Sequence, residues 1–171
     1  MSRRKIKPSS KRIVKITIPE FITHLPYSKT KFKKINGQSV YAGMNKFVRA
    51  TIMRKMHEYL EKHIPTGMKF SGPIRTSLQM HAPINYGTIR GSYNADLKQL
   101  VLNWKSPEPN YVPNWDADNQ WIWLKAFNDT LVHMGIISDD NVSIVQISGE
   151  VSFFPVSTLD ERKLVFIIEE L

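Results

Sequence analysis

Three acidic positions and one lysine in the second half of the chain have the types and spacing to carry out chemistry. Asp116 and Asp118 stand two residues apart in the run Asp-Ala-Asp-Asn. Side chains two apart in extended backbone point to the same side, so these two carboxylates would lie together. Adjacent carboxylates repel each other unless a cation neutralises them. Mg²⁺ binds oxygen ligands and uses only a few carboxylates, which leaves room for water and phosphate oxygens. The pattern therefore predicts a magnesium site.

The remaining candidates follow the first pair. Lys125 lies on a predicted helix, and the pair Asp139 and Asp140 comes after that helix. A helix over residues 119–134 would be about 24 Å long, so an acid at its far end could not reach Asp118. A shared metal site therefore requires the chain to double back over residues 135–138.

Structural alternatives exist for each acidic pair. Asp118 or Asn119 would serve as a helix N-cap, and Asp139-Asp140 would suit an ordinary turn. An EF-hand fails, because Trp121 and Phe127 occupy the positions of its glycine and its glutamate. The sequence has no GxSxG, GxxxxGK[ST], HExxH or zinc-deaminase motif. It also has no cysteine, which excludes disulfides, thiolate metal sites and cysteine nucleophiles. The acids are thus the strong candidates for chemistry.

Charge divides the chain into two unlike halves. Residues 1–69 carry 17 Lys and Arg against 3 Asp and Glu, whereas residues 70–171 carry 7 against 12. Phosphate contacts supply much of the affinity for nucleic acid and need such a basic surface. The candidate DNA-binding residues are Lys29, Lys31, Lys33, Lys34, Lys46 and Arg49. Aromatic residues among these lysines would either stack on bases or anchor the loop to the core. A soluble basic protein with a solvated tail is the alternative.

Hydrophobic periodicity predicts an α+β fold with a small mixed sheet packed with two main helices. In order, the predicted segments are a strand at residues 13–18, a long basic loop at 19–43, a helix at 44–63, a strand pair at 73–104, a loop at 105–115, a second helix at 119–134 and two strands at 142–154 and 163–169. Residues 1–12 are predicted to be a flexible basic arm, and residues 13–171 a single domain. No run of about 18 apolar residues exists to span a membrane, and the basic N-terminus lacks the apolar segment of a signal peptide.

Each predicted helix has an apolar stripe. In the first, the stripe comprises Phe47, Ile52, Met56, Tyr59 and Leu60. In the second, it comprises Trp121, Leu124, Phe127 or Asn128, and Leu131, and Gly135 is expected to end the helix. These stripes are expected to face the core.

The segment DADNQWIWLKAFNDTLVHMGIISDDNVSIV resembles the signature of the RusA-type Holliday junction resolvases. The shared pattern is Asp-x-Asp-Asn, a helix with Lys-Ala-x-x-Asp-x-Leu, a turn that ends in glycine, then Asp-Asp and a strand. An early strand that ends in proline, a basic loop and helix, and a closing strand also occur in the same order. The specific part of the resemblance covers residues 116–145.

The resemblance implies a metal-dependent endodeoxyribonuclease. Asp116, Asp118 and Asp140 would bind Mg²⁺, or Mn²⁺ in its place, with Asp139 as the acidic neighbour of Asp140. Lys125 would be the helix lysine that activity also needs. A homodimer would place two active sites on opposite strands of a four-way DNA junction. Such an enzyme is expected in the cytoplasm of a bacterial cell, encoded by a phage or by the chromosome.

The chain departs from the family pattern in two places. Lys125 comes six residues after Asn119, three more than in the family, and Asn114 and Trp115 stand where arginines are common. Phosphate contacts would then come from the N-terminal arm and the basic loop. Residues 86–104 would form an extra hairpin. Two other functions fit the sequence: a non-catalytic nucleic-acid-binding regulator on the same scaffold, and a nuclease that cuts flaps or RNA.

Overall fold

The computed structural model describes residues 11–19, 24–42, 44–83, 89–94, 99–104, 117–157 and 159–171. The strands are β1 (Ile13–Ile18), β2 (His24–Pro26), β3 (Phe32–Lys34), β4 (Ile74–Pro83), β5 (Ile89–Asn94), β6 (Gln99–Trp104), β7 (Val145–Val156) and β8 (Lys163–Glu170). The helices are α1 (Gly37–Tyr41), α2 (Lys46–Glu61) and α3 (Trp121–His133), with short 3₁₀ helices at Ala117–Gln120 and Leu159–Glu161. This is a small mixed α+β arrangement, as the periodicity predicted.

Four strands form the main sheet, in the order β1-β8-β4-β7. β8 pairs antiparallel with both β1 and β4, whereas β7 runs parallel to β4. A parallel pair needs a long crossover, and α3 lies within that crossover. The strand predicted at residues 13–18 is confirmed as β1 with the same bounds, and Pro19 follows it directly.

Helix α3 covers part of this sheet. Alternate residues of β4, from Ile74 through Thr76, Leu78 and Met80 to Ala82, are buried, while the residues between them are half-buried. α3 packs against α2 and against strands β4 and β7. At the centre of the core, Phe127 stacks on Phe166 of β8 with ring centroids 4.2 Å apart.

Asn45 is the N-cap of α2, and its side-chain oxygen accepts a hydrogen bond from the Phe47 amide at 2.9 Å. Ile52, Met56 and Leu60 are buried, as the predicted stripe required. Phe47, however, is 72% exposed, so its assignment to that stripe was wrong. The reason is angular: nine residues separate Phe47 from Met56, and at about 100° per residue they lie on opposite sides of the helix.

α3 ends as expected, because Gly135 adopts a positive φ of 66° just after it. Leu124, Phe127 and Leu131 are buried, but Trp121, which was predicted to face the core with them, is 38% exposed. Trp121 is the first residue of α3, and its ring lies over α1 at the edge of a groove rather than in the core.

Residues 19–43 were predicted to be a loop, and this was wrong in part. β2 pairs with β3 as a small antiparallel hairpin, and α1 follows it. Each of these strands has three residues and α1 has five, which is too short to display a period in the sequence.

The predicted extra hairpin is confirmed, since β5 and β6 pair antiparallel in a sheet of their own. The predicted loop at residues 105–115 lies outside the described residues. So do residues 1–10 of the predicted arm. Arg12, at the end of that arm, is docked: its guanidinium donates to the Lys69 carbonyl at 2.9 Å and lies over the Phe70 ring. Within the described part of the chain, every helix is too short or too polar to cross a membrane.

Candidate active site

One face of α3, the turn that follows it and the start of β7 enclose a groove of about 440 Å³. Its lining residues are Trp121, Leu124, Lys125, Asn128, Asp140, Val142, Val145, Gln146, Ser148 and Gly149. Trp121, Lys125 and Asn128 are four and three residues apart, so they share one face of the helix. The groove therefore brings the helix lysine and the later acidic turn onto one surface.

The wall formed by β7 is irregular at the groove. Ile74 and Arg75 of β4 are paired with Val145 and Ile147, so Gln146 is an extra residue in β7. A second extra residue falls between Ile147 and Glu150, where Gly149 has a φ of 107°. Extra residues of this kind bend a strand and re-aim its side chains. Both irregularities contribute residues to the groove.

The chain doubles back after α3, as a shared site required. Ile136 and Ile137 are buried behind Gly135, and the chain then returns along α3 to Asp140. Asp140 lies beside Asp129 of α3, and their carboxyl groups are within hydrogen-bonding reach. The pKa of Asp140 is raised. The largest cause is its partial burial, and the hydrogen bond to Asp129 and the negative charge of that residue come next. Two carboxylates are thus held together here.

Lys125 is the cation nearest to this pair. Its Nζ donates to Asp129 Oδ1 at 3.2 Å, one helical turn further along α3. Partial burial lowers the pKa of Lys125, but Asp129, Tyr41 and Asp140 outweigh that effect and raise it. The ammonium group therefore stays charged beside the acids.

His57 of α2 reaches the same acidic group from the other side. Its Nε2 lies 3.9 Å from Asp129 Oδ2 and has no hydrogen-bond partner. Burial lowers the pKa of His57, and the nearby Asp129 and Glu61 oppose that effect only in part. Asp129 thus lies between Lys125, which donates a hydrogen bond to it, and the imidazole ring of His57.

A buried amide oxygen lies next to the acids. Asn128 is 7% exposed, and its Nδ2 donates to Ser148 Oγ at 3.0 Å. Its Oδ1 has no hydrogen-bond partner. A buried polar atom without a partner costs free energy, on the order of 1–3 kcal/mol, unless a bound group satisfies it. Asn128 therefore carries an unsatisfied amide oxygen that is buried beneath the groove surface.

Asp139 is used within its own turn. One carboxylate oxygen accepts from the Asp140 amide at 2.7 Å, and the other accepts from the Asn141 side chain at 2.6 Å. These bonds lower the pKa of Asp139, with the Asn141 bond the largest cause. The turn alternative therefore describes Asp139, while Asp140 lies in the groove.

The first acidic pair is described in part. Asp116 lies outside the described residues, and of Asp118 the backbone alone is described, in the 3₁₀ helix Ala117–Gln120 that leads into α3. Gln120 occupies the N-cap position of α3. Asn119 Oδ1 accepts a hydrogen bond from the Gln38 amide at 3.2 Å, which joins the 3₁₀ helix to α1.

The predicted DNA-binding residues occupy two places. Lys29 and Lys31 are exposed in the turn between β2 and β3, Lys33 is half-buried on β3, and Lys34 is the last residue of β3. Lys46 and Arg49 lie in the first turn of α2 and contact aromatic rings, Phe47 and Tyr41 respectively. Within this set, Arg49 contacts the Tyr41 ring, which lies next to the groove.

Sequence reasoning assigned no functional role to Asp129 or His57, and it placed the ring of Trp121 in the core. Asp129 carries a detectable signal, because it lies four residues after Lys125 and such pairs meet on a helix surface. His57 carries none, since 72 residues separate it from Asp129 and only tertiary packing joins them.

Among the side chains that the structure describes, no three His, Asp or Glu residues form a metal-binding group. Of the described side chains that line the groove, Asp140 carries a carboxylate, and Gln146 and Ser148 carry neutral oxygens. Asp129, beside Asp140, already accepts the hydrogen bond from Lys125. Carboxylate and neutral oxygens are the ligands that Mg²⁺ prefers, so the groove side chains are of a type that fits such an ion.

Comparison of the chain with models of known protein families finds no match. Comparison with characterised proteins finds none either. The resemblance of residues 116–145 to the junction resolvases thus stays a prediction that rests on the order of the motif alone.

Proposed function

We propose that this protein is a Mg²⁺-dependent endonuclease that hydrolyses phosphodiester bonds in branched DNA. The observation that carries the proposal is the position of Asp140, beside Asp129 and Lys125 in a groove on α3. A helix of 13 residues separates the two acidic motifs in sequence, yet the chain returns along it. That return is what a site shared by Asp118 and Asp140 requires.

In this proposal Asp116, Asp118 and Asp140 would hold the metal ion. When bound, the ion would supply an activated water and neutralise charge on the scissile phosphate. Lys125 stabilises the negative charge that develops on the phosphate oxygens, because its ammonium group is already held beside the acids. Asp129 positions Lys125 and does not itself contact the substrate.

The basic first half of the chain binds the DNA arms. Lys29, Lys31, Lys33 and Lys34 lie on the β2–β3 hairpin, and Lys46 and Arg49 lie at the start of α2. Phosphate contacts of this kind add affinity but do not read the base sequence, so the protein would recognise its substrate by shape. The four-way junction and a homodimer with paired active sites are the substrate and assembly that the motif resemblance implies.

Cleavage of a labelled four-way DNA junction tests the proposal. Wild type, Asp118→Asn and the control Asp160→Asn are compared in Mg²⁺, in Mn²⁺ and in EDTA, with linear duplex, flap and RNA substrates alongside. Asp160 is an exposed acid on the 3₁₀ helix that precedes β8, outside the groove lining. Paired nicks that need the metal and are lost in Asp118→Asn alone are expected.

The two other functions correspond to different results. Tight junction binding without cutting in any metal indicates a non-catalytic nucleic-acid-binding regulator. Cutting of flaps or RNA alone keeps the acidic site and changes the substrate. Equal loss of binding and cutting in Asp118→Asn contradicts a catalytic role for that acid, because removing a negative charge beside phosphate should preserve or tighten binding.

A further inference from the structure

Two aromatic rings lie exposed together at the edge of the groove. Tyr41 is the last residue of α1, and Trp121 is the first residue of α3. Their ring centroids are 5.2 Å apart with an interplanar angle of 36°. Tyr41 is 36% exposed and Trp121 is 38% exposed, so each ring presents surface to solvent. Exposed apolar rings that contact each other are more often part of a binding site than single exposed rings are.

Contacts with α1 hold the position of the tryptophan ring. A Cβ atom built at Gly37 would lie 2.5 Å from the indole Nε1 and 2.8 Å from Cε2, so the ring rests directly on the backbone of α1. The hydrogen bond from the Gln38 amide to Asn119 ties the same two segments together. The indole is therefore presented at the surface by a fixed support.

Two cationic side chains lie near the aromatic pair. The Arg49 guanidinium lies 5.4 Å from the centre of the Tyr41 ring. Tyr41 is also close enough to Lys125 to affect its pKa, and Trp121 lines the groove together with Lys125 and Asp140. Aromatic faces, cations and the acidic pair thus form one continuous surface.

This combination favours one kind of occupant. A nucleobase stacks on an aromatic ring whatever its identity, and neighbouring cations hold the phosphates on either side of it. Bases in an intact duplex are stacked on each other and do not expose their faces, whereas a branch point or a bulge leaves a base free to turn outward. An acidic peptide would satisfy the cations but would leave the rings uncovered.

We propose that Tyr41 and Trp121 form a platform on which an unpaired nucleobase stacks, with Arg49 and Lys125 contacting the adjacent phosphates. The nucleic-acid substrate in this inference rests on the function proposed above. The platform gives that function a basis for selecting branched over linear DNA. It also places the strand next to an unpaired base directly at the acidic groove.

Binding without metal tests the platform. A duplex with a single bulged 2-aminopurine and the matching fully paired duplex are titrated with the protein in EDTA. Wild type is expected to prefer the bulged duplex roughly tenfold, and the 2-aminopurine emission is expected to fall as the base stacks. Tyr41→Ala and Trp121→Leu should each lose most of that preference, while Tyr41→Phe and Trp121→Phe, which keep a ring, should retain it.

Two further variants separate stacking from general damage. Phe154→Ala removes another exposed ring, one stacked on His81 and five residues beyond Gly149 along β7, and it should leave the preference unchanged. Gly37→Ala keeps both rings but pushes the indole from its support, and it should lower the preference. Thermal melting confirms that each variant is folded.

The results distinguish this inference from the proposed function. If folded Tyr41→Ala and Gly37→Ala retain the full preference, the platform is wrong, even where the wild type cuts junctions in Mg²⁺. An absence of any preference in the wild type also overturns it. A preference that depends on both rings, in a protein that cuts no nucleic acid, supports the platform and overturns the nuclease.

Discussion

The two sides of α3 have opposite chemical character. Trp123, Phe127 and Leu131 are fully or almost fully buried, and the Phe127 ring stacks on Phe166 of the sheet. On the groove side, Trp121 and Lys125 are partly exposed, and the buried Asn128 has an oxygen without a partner. One helix therefore holds both the best-packed and the least-satisfied side chains of the region.

The contrast indicates a division of tasks. Polar atoms that are all hydrogen-bonded within the protein add to its stability, but they leave no group available to bind a ligand. The groove side keeps two adjacent carboxylates, a charged lysine and an unsatisfied amide oxygen at a cost in stability. Such a cost is expected where a bound group completes the interactions. Substitutions on the two sides should therefore affect different measurements.

The largest effect is expected on the buried side. Phe127→Ala removes a ring that is 0% exposed and stacked on Phe166, and it should lower the free energy of unfolding by about 3–5 kcal/mol. Denaturation in urea measures this loss. Trp121→Phe on the groove side serves as the control and should cost much less, because that ring is partly exposed. Similar losses for both would contradict the division.

The next largest effect is expected on catalysis and not on stability. Lys125→Gln removes the charge beside the acids and should lower kcat for junction cleavage about 10²–10³-fold, since the lysine stabilises charge that develops during the reaction. Lys69→Gln removes an exposed positive charge elsewhere and should leave kcat unchanged. An effect of Lys125→Gln confined to KM would assign the lysine to substrate binding instead.

The smallest effect is a gain. Asp140→Asn removes one of two adjacent carboxylates, and at neutral pH it should leave stability unchanged or raise it by about 1 kcal/mol or less, because solvent screens an exposed pair. Since the folded-state pKa of Asp140 is raised, its ionisation weakens the wild type as pH rises through that pKa. Melting curves of both proteins from neutral pH downward should therefore converge as Asp140 becomes protonated. A stability loss in Asp140→Asn at neutral pH would mean that the carboxylate is structural.

Much of the fold followed from the sequence because it depends on local patterns. β1 alternates from Val14 to Ile18, Gly135 has the backbone freedom that a helix end needs, and α3 has a recurring apolar stripe, so each was predictable. The β2–β3 hairpin and α1 were missed because three to five residues show no period. Phe47 was misplaced because its spacing resembles that of the buried stripe while its angle on the helix is opposite.

The candidate site divides in the same way. Sequence spacing singled out Asp140 and Lys125, and both lie in the groove. It grouped Asp139 with Asp140, although the local hydrogen bonds of the turn engage Asp139 and direct Asp140 toward α3. His57 and Tyr41 come from other helices, and nothing in the local sequence of either points to α3.

The sequence by itself determined the residue types, their charge and the elements on which they lie, because these depend on neighbours within a few positions. The tertiary structure decided which of those residues meet. The return of the chain after Gly135, the extra residues in β7 and the approach of α1 and α2 to α3 bring together groups far apart in sequence. Contacts of that kind result from packing the whole core, and a local pattern carries no record of them.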